Sequence, residues 1–435
     1  MKLILSKSPK IKGKIRVSGD KSITHRGLII GSIAEGKTIL RNYSTCEDCY
    51  STLEIMKELG VQIKEDNKVL EIEGKGLTGL AEPSNILDCR NSGTSMRLIA
   101  GLLAGQDFFS ILTGDKSLLS RPMKRIVEPL RRMGAIIYGR NNDEYAPLAI
   151  KGTKLKGIDY KLPIPSAQVK SSLLIASLYA RGNTIIEEPT QSRDHTERML
   201  NLFGAKVEFK GNKIILKEKN KLNAQEVFIP GDISSAAFFI VLASCQEDSE
   251  LLIEQVGINP TRTGIIEILK KMGAQISILN KKEICNEPVA DILIKGSSLK
   301  GIEIGGDIIP KLIDELPILA LAGTQAKGKT IVRDAKELRV KESDRIHTIT
   351  EGLRKLGAKI EEKEDGFIVE GPVKLKGNIC ESFGDHRIGM TLAIGGLLAE
   401  GETTILEAEC INVSFPEFIR TLRRISGKNN IVEKN

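Results

Sequence analysis

The sequence predicts an α/β fold of two similar domains, each made of three β-α-β-α-β-β units, and three observations predict it. The chain has 435 residues, beyond the roughly 250–300 at which a single hydrophobic core stops growing. Six apolar-basic runs recur along it: KELG at 57–60, RRMG at 131–134, NLFG at 201–204, KKMG at 270–273, RKLG at 354–357 and RRIS at 423–426, at intervals of 74, 70, 69, 84 and 69 residues. Ahead of each run stands a short turn followed by an apolar helix pattern: GDKS at 19–22, NSGTS at 91–95, PSAQ at 165–168, GDISS at 231–235, DELP at 314–317 and GDHR at 384–387. A unit of roughly 70 residues is too long for a solenoid repeat and suits a small α/β unit.

Within a unit the turn opens an apolar helix, a strand follows, and a second helix closes on a Leu-Gly or Met-Gly signal. At 345–356, Ile346, Ile349, Leu353 and Leu356 recur at helical spacing and Gly357 ends the helix. The alternation AKVEFKGNKIILKE at 205–218 then predicts a hairpin. Units one to three occupy roughly 14–230 and units four to six the remainder. Three plus three gives two halves with a cleft between them, where a ligand is expected.

Composition excludes several classes. Hydrophobic residues make up 41% and charged residues 28%, which suits a globular chain and not a disordered one. There are 64 Lys and Arg against 56 Asp and Glu, a net charge of +8, with no Trp, six Tyr and eleven Phe. So few aromatics and so diluted a charge argue against a nucleic-acid partner, and small anionic substrates remain open. The opening MKLILSKSPKIKG has too brief an apolar run for a signal peptide, and no stretch approaches a membrane span, so a cytoplasmic chain with no membrane partner is expected. Seven scattered cysteines read as reduced thiols. Cys46 and Cys49 form one CxxC without a second pair, and His25, His195, His347 and His386 stand far apart, so no metal is expected.

Two stretches match the P-loop pattern, GSIAEGKT at 31–38 and GTQAKGKT at 323–330. A phosphate-cradling P-loop needs a strand before it and a helix after it. Here the apolar helix precedes and the strand follows, and the same slot elsewhere holds ARGNT at 180–184 and AEGET at 399–403, without the Lys. Both read as helix-to-strand turns.

Basic and small polar residues gather at the turns that open helices. Lys21, Ser22 and Arg26 lie in GDKSITHR, Gly93, Thr94 and Arg97 in NSGTSMR, and Ser166, Gln168 and Lys170 in IPSAQVKSS. Arg121 lies in LSRPMKR, Arg193 in SRDHTER, Lys341 and Arg345 in RVKESDR, and Arg387 in GDHR. Each alone suits a solvated surface cation. Together, if these helix N-termini converge on the cleft, dipoles, backbone N–H groups and cations build an anion site for phosphorylated or carboxylated substrates without a metal. Asp314 in LIDELP and Glu342 after Lys341 suit either salt-bridge partners or a base and an acid.

These motifs resemble those of the 5-enolpyruvylshikimate-3-phosphate synthase family, the 3-phosphoshikimate 1-carboxyvinyltransferases. The resemblance runs from GDKS at 19 to SFPEF at 414–418, and its most specific pieces are LSRPMKRIVEPLRRMGA at 119–135 and ELRVKESDR at 337–345. It implies the inverse α/β barrel of enolpyruvyl transferases, two domains of three βαβαββ units: 1–19 plus 231–435 as one, 20–230 as the other, with the active site in the interdomain cleft. The implied reaction moves the enolpyruvyl group of phosphoenolpyruvate to the 5-hydroxyl of shikimate 3-phosphate and releases phosphate, with no cofactor and in a monomer.

Carried over by motif, the resemblance implies that Lys21 touches both substrates and takes part in catalysis. Ser22, Arg26 and Ser166 hold shikimate 3-phosphate, Gln168 lies between the substrates, and Arg193 meets the phosphate of the ring. Gly93, Arg121, Arg345 and Arg387 bind phosphoenolpyruvate. Asp314 is the base for the 5-hydroxyl, assisted by Lys341; Glu342 protonates and later deprotonates the methylene carbon; His386 hydrogen-bonds behind the substrates. Ala167, Glu337 and Val413 depart from the better-known form of the family. DKS, SAQVK, RDHTE and NPTR instead resemble its class II branch, which implies lower sensitivity to glyphosate. UDP-N-acetylglucosamine 1-carboxyvinyltransferase shares the fold and donor but normally carries a reactive loop Cys. Here that region reads LLSRPM, and the nearest Cys is Cys89. RNA 3′-phosphate cyclase needs a nucleotide site and a nucleophilic His, which neither the P-loop reading nor the scattered histidines support.

Overall fold

The computed structural model describes residues 1–8, 10–218, 220–427 and 430–434. Among the described residues the sequence repeat is a structural repeat, with twelve α-helices and six four-stranded sheets. The helices are α1 (Lys21–Ser32), α2 (Glu47–Glu58), α3 (Gly93–Leu103), α4 (Lys124–Arg132), α5 (Ala167–Ser177), α6 (His195–Leu202), α7 (Ile233–Ser244), α8 (Gly264–Lys271), α9 (Leu316–Gln325), α10 (Arg345–Lys355), α11 (His386–Leu398) and α12 (Phe418–Ser426). Odd-numbered helices open the repeats and even-numbered ones close them.

Five of the six turn motifs are helix caps, and the other, DELP in the fifth repeat, opens α9 at Glu315 without a capping side chain. Asp20, Ser92, Ser166, Asp232 and Asp385 each stand at an N-cap and accept a backbone N–H of the following first turn, so the recurring Asp or Ser has a local purpose. The closing helices stop where the Leu-Gly and Met-Gly signals place them. Gly60, Gly134, Gly204, Gly273 and Gly357 all take positive φ just past the helix, a conformation that glycine adopts without a Cβ penalty. In the sixth repeat Gly427, one residue beyond RRIS, takes that place with φ of 91°.

Each sheet follows one order, an outer strand parallel to its neighbour and then two antiparallel strands. Residues 205–218 form the hairpin Val207–Lys210 and Lys213–Leu216. Three of the six units are contiguous in the order βαβαββ. The other three take a strand from elsewhere. Glu226–Phe228 pairs in parallel with Glu35–Arg41, Lys12–Ile15 pairs in parallel with Glu250–Gly257, and Lys2–Ser6 lies between Glu402–Leu406 and Ile431–Lys434. Glu226–Phe228 and Lys12–Ile15 are the outer parallel strands of their sheets, whereas Lys2–Ser6 is an inner strand.

The chain divides into two compact units. One comprises Met1–Ser18, Pro230–Glu283 and Pro288–Asn435; the other comprises Gly19–Ile229 with Ile284–Glu287. The sequence boundaries, after residue 19 and before 231, differ from these by one residue each, and Ile284–Glu287, which the sequence leaves with 231–435, falls in the second unit. Gly19 goes with the second unit because it lies against Asn42, whose carbonyl oxygen would be 1.8 Å from a Cβ there. Each unit has its own core. In the first, α7 is buried along its whole length, and Phe238, Phe239, Phe415 and Phe418 pack with ring centroids 5.8–6.1 Å apart. A helix that is apolar on every face belongs inside a core. No described helix is long and apolar enough to cross a membrane.

Both P-loop matches are helix-to-strand turns. The first runs from the end of α1 into Glu35–Arg41, the second from the end of α9 into Gly328–Val332. Their glycine and threonine serve packing. A Cβ on Gly31 would stand 2.9 Å from Cγ2 of Thr38, and one on Gly323 would stand 3.1 Å from Cβ of Thr330. The same contact recurs at Gly396 and Thr403, where the motif's Lys is missing. Lys37 is spent on Glu71 and Glu73 of the neighbouring strand, at 3.0 and 3.2 Å.

Candidate active site

In the unit containing Gly19–Ile229, candidate residues stand on the first turns of α1, α3 and α5. Lys21, beside the capping Asp20, reaches Asp48 Oδ2 of α2 at 2.8 Å. The backbone carbonyl of Asp48 accepts from Ser51 Oγ at 2.7 Å and from Ser95 Oγ of α3 at 3.4 Å. Ser95 also lies 2.7 Å from Thr52 Oγ1, which meets His25 Nδ1 at 2.7 Å. Burial, with Lys21 and Arg26 close by, pushes the His25 pKa well down, so its imidazole is neutral. This polar knot fixes the starts of α1, α2 and α3 against one another. Cys46 and Cys49 border it as free thiols, with Cys49 Sγ 3.6 Å from the Lys21 carbonyl.

The α3 start carries the densest cationic group. A Cβ on Gly93 would stand 2.7 Å from Arg97 Nη1 and 3.5 Å from Arg121 Nη1, so two guanidiniums lie over this glycine. Arg97 donates to Gln168 Oε1 at 2.5 Å, and Gln168 Nε2 donates to Thr94 Oγ1 at 3.0 Å. Arg121 is braced by Asn91 Oδ1 at 2.7 Å and Ser117 Oγ at 3.0 Å. Helix N–H groups, a missing side chain and two arginine forks make a receptor for a phosphate or carboxylate.

Arg26 is buried and donates from Nε to Thr196 Oγ1 at 2.6 Å, from Nη2 to Ser171 Oγ at 2.7 Å and from Nη1 to the Ser22 carbonyl at 2.8 Å. It ties α1 to α5 and α6. Ser166 caps α5 through Val169 N at 3.4 Å. Arg193 is half-buried in the loop that leads into α6.

In the other unit the candidates centre on Arg345, the first residue of α10. Its buried guanidinium meets Asp385 Oδ2 at 2.8 Å, Glu342 Oε2 at 2.5 Å and Asp314 Oδ1 at 3.4 Å. Burial opposes its charge, but these three carboxylates hold it more firmly protonated than an ordinary arginine. Lys341 goes the other way. Burial pulls its pKa below the ordinary lysine value, against the attraction of Asp314, Glu337 and Glu342. His386 and Arg387 are buried at the start of α11. Arg387 lies 3.9 Å from Glu315 Oε1, and Glu315 accepts from Ser234 Oγ, which in turn accepts from Arg262 Nη2 at 2.7 Å.

The structure thus joins Gly93 to Gln168 through Arg97, sets Arg121 beside the same glycine, and joins Asp314, Glu342 and Arg345 directly. Ser22 is tied to Arg26 through its carbonyl, and Arg193 stands on the loop that leads into α6. Asp48, Asp385 and Glu315 hold candidates in place and escaped the sequence reading. For Asp385 a signal existed, since it is the Asp of a GD turn like Asp20 and Asp232.

The sequence model described as EPSP synthase (3-phosphoshikimate 1-carboxyvinyltransferase) matches residues 5–422. A relative from Petrotoga mobilis, called 3-phosphoshikimate 1-carboxyvinyltransferase, is 53% identical over 430 residues, covering 98% of this chain and 99% of its own. One of the same name from Bacillus cereus is 52% identical over 416 residues, covering 96% and 97%. A solved EPSP synthase from Acinetobacter baumannii superposes with a TM-score of 0.89 at 44% identity, covering all of both chains. The enolpyruvyl transferase NikO from Streptomyces tendae superposes with a TM-score of 0.81 at 15% identity over 100% and 98% of the two chains, a likeness of fold alone. With about half its residues shared along almost its full length, the chain belongs to the EPSP synthase (3-phosphoshikimate 1-carboxyvinyltransferase) family.

Proposed function

We propose that the chain transfers the enolpyruvyl group of phosphoenolpyruvate to the 5-hydroxyl of shikimate 3-phosphate, releasing phosphate, as a cytoplasmic monomer. One observation carries the proposal: Asp314 and Glu342 are both held on the buried guanidinium of Arg345, so a base, a proton donor and an anion-binding group stand in one hydrogen-bonded set. In the proposed reaction Ser22, Arg26 and Ser166 hold shikimate 3-phosphate, Arg193 meets its phosphate, Gln168 lies between the substrates, Gly93, Arg121, Arg345 and Arg387 serve phosphoenolpyruvate, and Lys21 serves both substrates. The paired arginines over Gly93 support the assignment to phosphoenolpyruvate.

Proton transfer to C3 of phosphoenolpyruvate develops positive charge at C2, where the 5-hydroxyl oxygen attacks. The tetrahedral adduct then loses a C3 proton and expels phosphate. Asp314 takes the hydroxyl proton with help from Lys341, whose lowered pKa eases proton exchange. Glu342 exchanges the C3 proton. Its Oε2 stands 2.5 Å from Arg345 Nη2, on the guanidinium assigned to the donor. Arginines stabilise the departing phosphate, and His386 orients its neighbours by hydrogen bonding. All seven cysteines are free thiols, which accords with a reducing compartment. A UDP-N-acetylglucosamine acceptor is not favoured, since the relatives carry the shikimate name.

Assay of phosphate and enol ether from the two substrates tests the proposal. Lys21→Met and Arg121→Ala are each expected to cut turnover by about two or more orders of magnitude with the fold intact. Light scattering tests the monomer.

A further inference from the structure

Ser166 and Gln168 stand at the α5 start, whereas Arg193 stands on the loop between Glu188 and α6. A buried group joins these two segments. Lys170, one turn after Ser166 and 1% exposed, places Nζ 2.8 Å from Glu188 Oε2, 2.7 Å from Glu197 Oε1 and 3.4 Å from the Ser192 carbonyl. Glu188 also accepts from Ser192 Oγ and, at 3.5 Å, from Ser192 N. Lys170 therefore grips both ends of the segment that carries Arg193, and Ser192 is its immediate neighbour. Arg26 supplies a second tie, because Ser171 and Thr196, which it binds, lie 2.6 Å apart.

Such a group is an expensive way to fill a core. Removing each ion from water costs several kcal/mol, and apolar residues of the same volume are often as stable or more so. One ammonium faces two carboxylates here. Burial pushes the Glu197 pKa up, while Glu197 and Glu188 keep Lys170 charged despite its own burial. What the group supplies is geometry: two hydrogen bonds and an ion pair from one atom set the loop at a fixed distance from the α5 start.

We propose that Lys170 is a positioning residue for the acceptor, holding the 188–194 loop and its Arg193 in register with Ser166 and Gln168 so that they grip shikimate 3-phosphate together. The role rests on the assignment of shikimate 3-phosphate to these residues. It is separable from donor binding, because Arg193, which the gripped segment carries, is assigned to the acceptor alone, and the contacts of Lys170 run to Glu188, Ser192 and Glu197.

Three variants test it. Lys170→Met leaves two buried carboxylates facing each other, so Lys170→Met/Glu197→Gln is measured beside it, and Ser192→Ala removes only the hydroxyl bond to Glu188. In the folded variants lacking Lys170 the KM for shikimate 3-phosphate is expected to rise on the order of tenfold or more, and in Ser192→Ala roughly threefold. The KM for phosphoenolpyruvate and kcat at saturation stay within about twofold. Parallel changes in both KM values, or an unchanged KM for shikimate 3-phosphate in any variant that melts cooperatively, overturns the positioning role. If the Lys170 variants do not fold, Ser192→Ala decides alone. A wild-type chain inactive on the substrate pair refutes the functional proposal instead, whereas an active one with unmoved variants refutes only the role of Lys170.

Discussion

Asp385 holds two arginines at once: its Oδ2 accepts from Arg345 Nε at 2.8 Å, and its Oδ1 caps α11 through Arg387 N at 2.8 Å. Arg345 Nη2 adds a contact to Oδ1 at 3.3 Å. One buried carboxylate thus orients the guanidinium on which Asp314 and Glu342 are gathered and the first turn that presents Arg387.

Asp385→Asn keeps an N-capping side chain but removes the charge. Breaking a buried pair costs about 3–5 kcal/mol, and the remaining Glu342 and Asp314 contacts place this loss near the lower end, about 3 kcal/mol. Denaturant unfolding checks it. Because both affected arginines are assigned to the donor, the KM for phosphoenolpyruvate is expected to rise more than that for shikimate 3-phosphate.

Gly93→Ala puts a methyl 2.7 Å from Arg97 Nη1, the far end of a flexible side chain. The helix tolerates it, since alanine favours helix by up to about 1 kcal/mol over glycine. The predicted outcome is a melting temperature equal to or above that of the wild type, together with a KM for phosphoenolpyruvate raised roughly tenfold, because the guanidiniums must give way. A lowered melting temperature with unchanged KM contradicts it.

For Lys341 the sign of the pH effect follows from its lowered pKa. Between that folded value and the unfolded value near 10.5 the unfolded chain binds more protons, so stability contributed by this group rises with pH through that window. At neutral pH the cost of burying the ammonium is fully present. Comparison of wild type with Lys341→Met from pH 7 toward 10.5 is therefore expected to show the wild type gaining relative to the variant. A difference that stays flat or falls contradicts the assignment.

Gly31 and Lys37 separate packing from phosphate binding. Gly31→Val drives atoms into Thr38, which a Cβ alone would approach to 2.9 Å, and overpacking of this kind costs about 1–3 kcal/mol. Lys37→Ala removes an exposed strand pair and leaves turnover unchanged. Calorimetry with ATP is expected to give no binding heat for either the wild type or Lys37→Ala. A saturable heat lost in Lys37→Ala contradicts it.

Much of this fold is legible locally. The GD and Ser turns are caps, the Leu-Gly signals are positive-φ stops, and the P-loop look-alikes dissolve once Gly31 is seen to pack on Thr38. Pairings across long separations leave no such trace. Nothing near residue 226 says that Glu226–Phe228 will complete the sheet of Glu35–Arg41, because a sheet edge is satisfied by whichever strand the fold delivers. The site divides in the same way. Lys21, Arg121 and Arg345 stand out as cations in helix-opening turns, whereas Asp48, Glu188 and Glu315 look like ordinary acids until the chain brings their partners to them from 18 to 81 residues away.

The most direct test is a coupled measurement of phosphate and enol ether from shikimate 3-phosphate and phosphoenolpyruvate, with wild type, Asp314→Ala and Glu342→Ala side by side. The account predicts equal amounts of both products from the wild type, and turnover at least about 100-fold lower in each variant at an unchanged cooperative melt. Phosphate release without enol ether, or near-normal turnover in either folded variant, would contradict it.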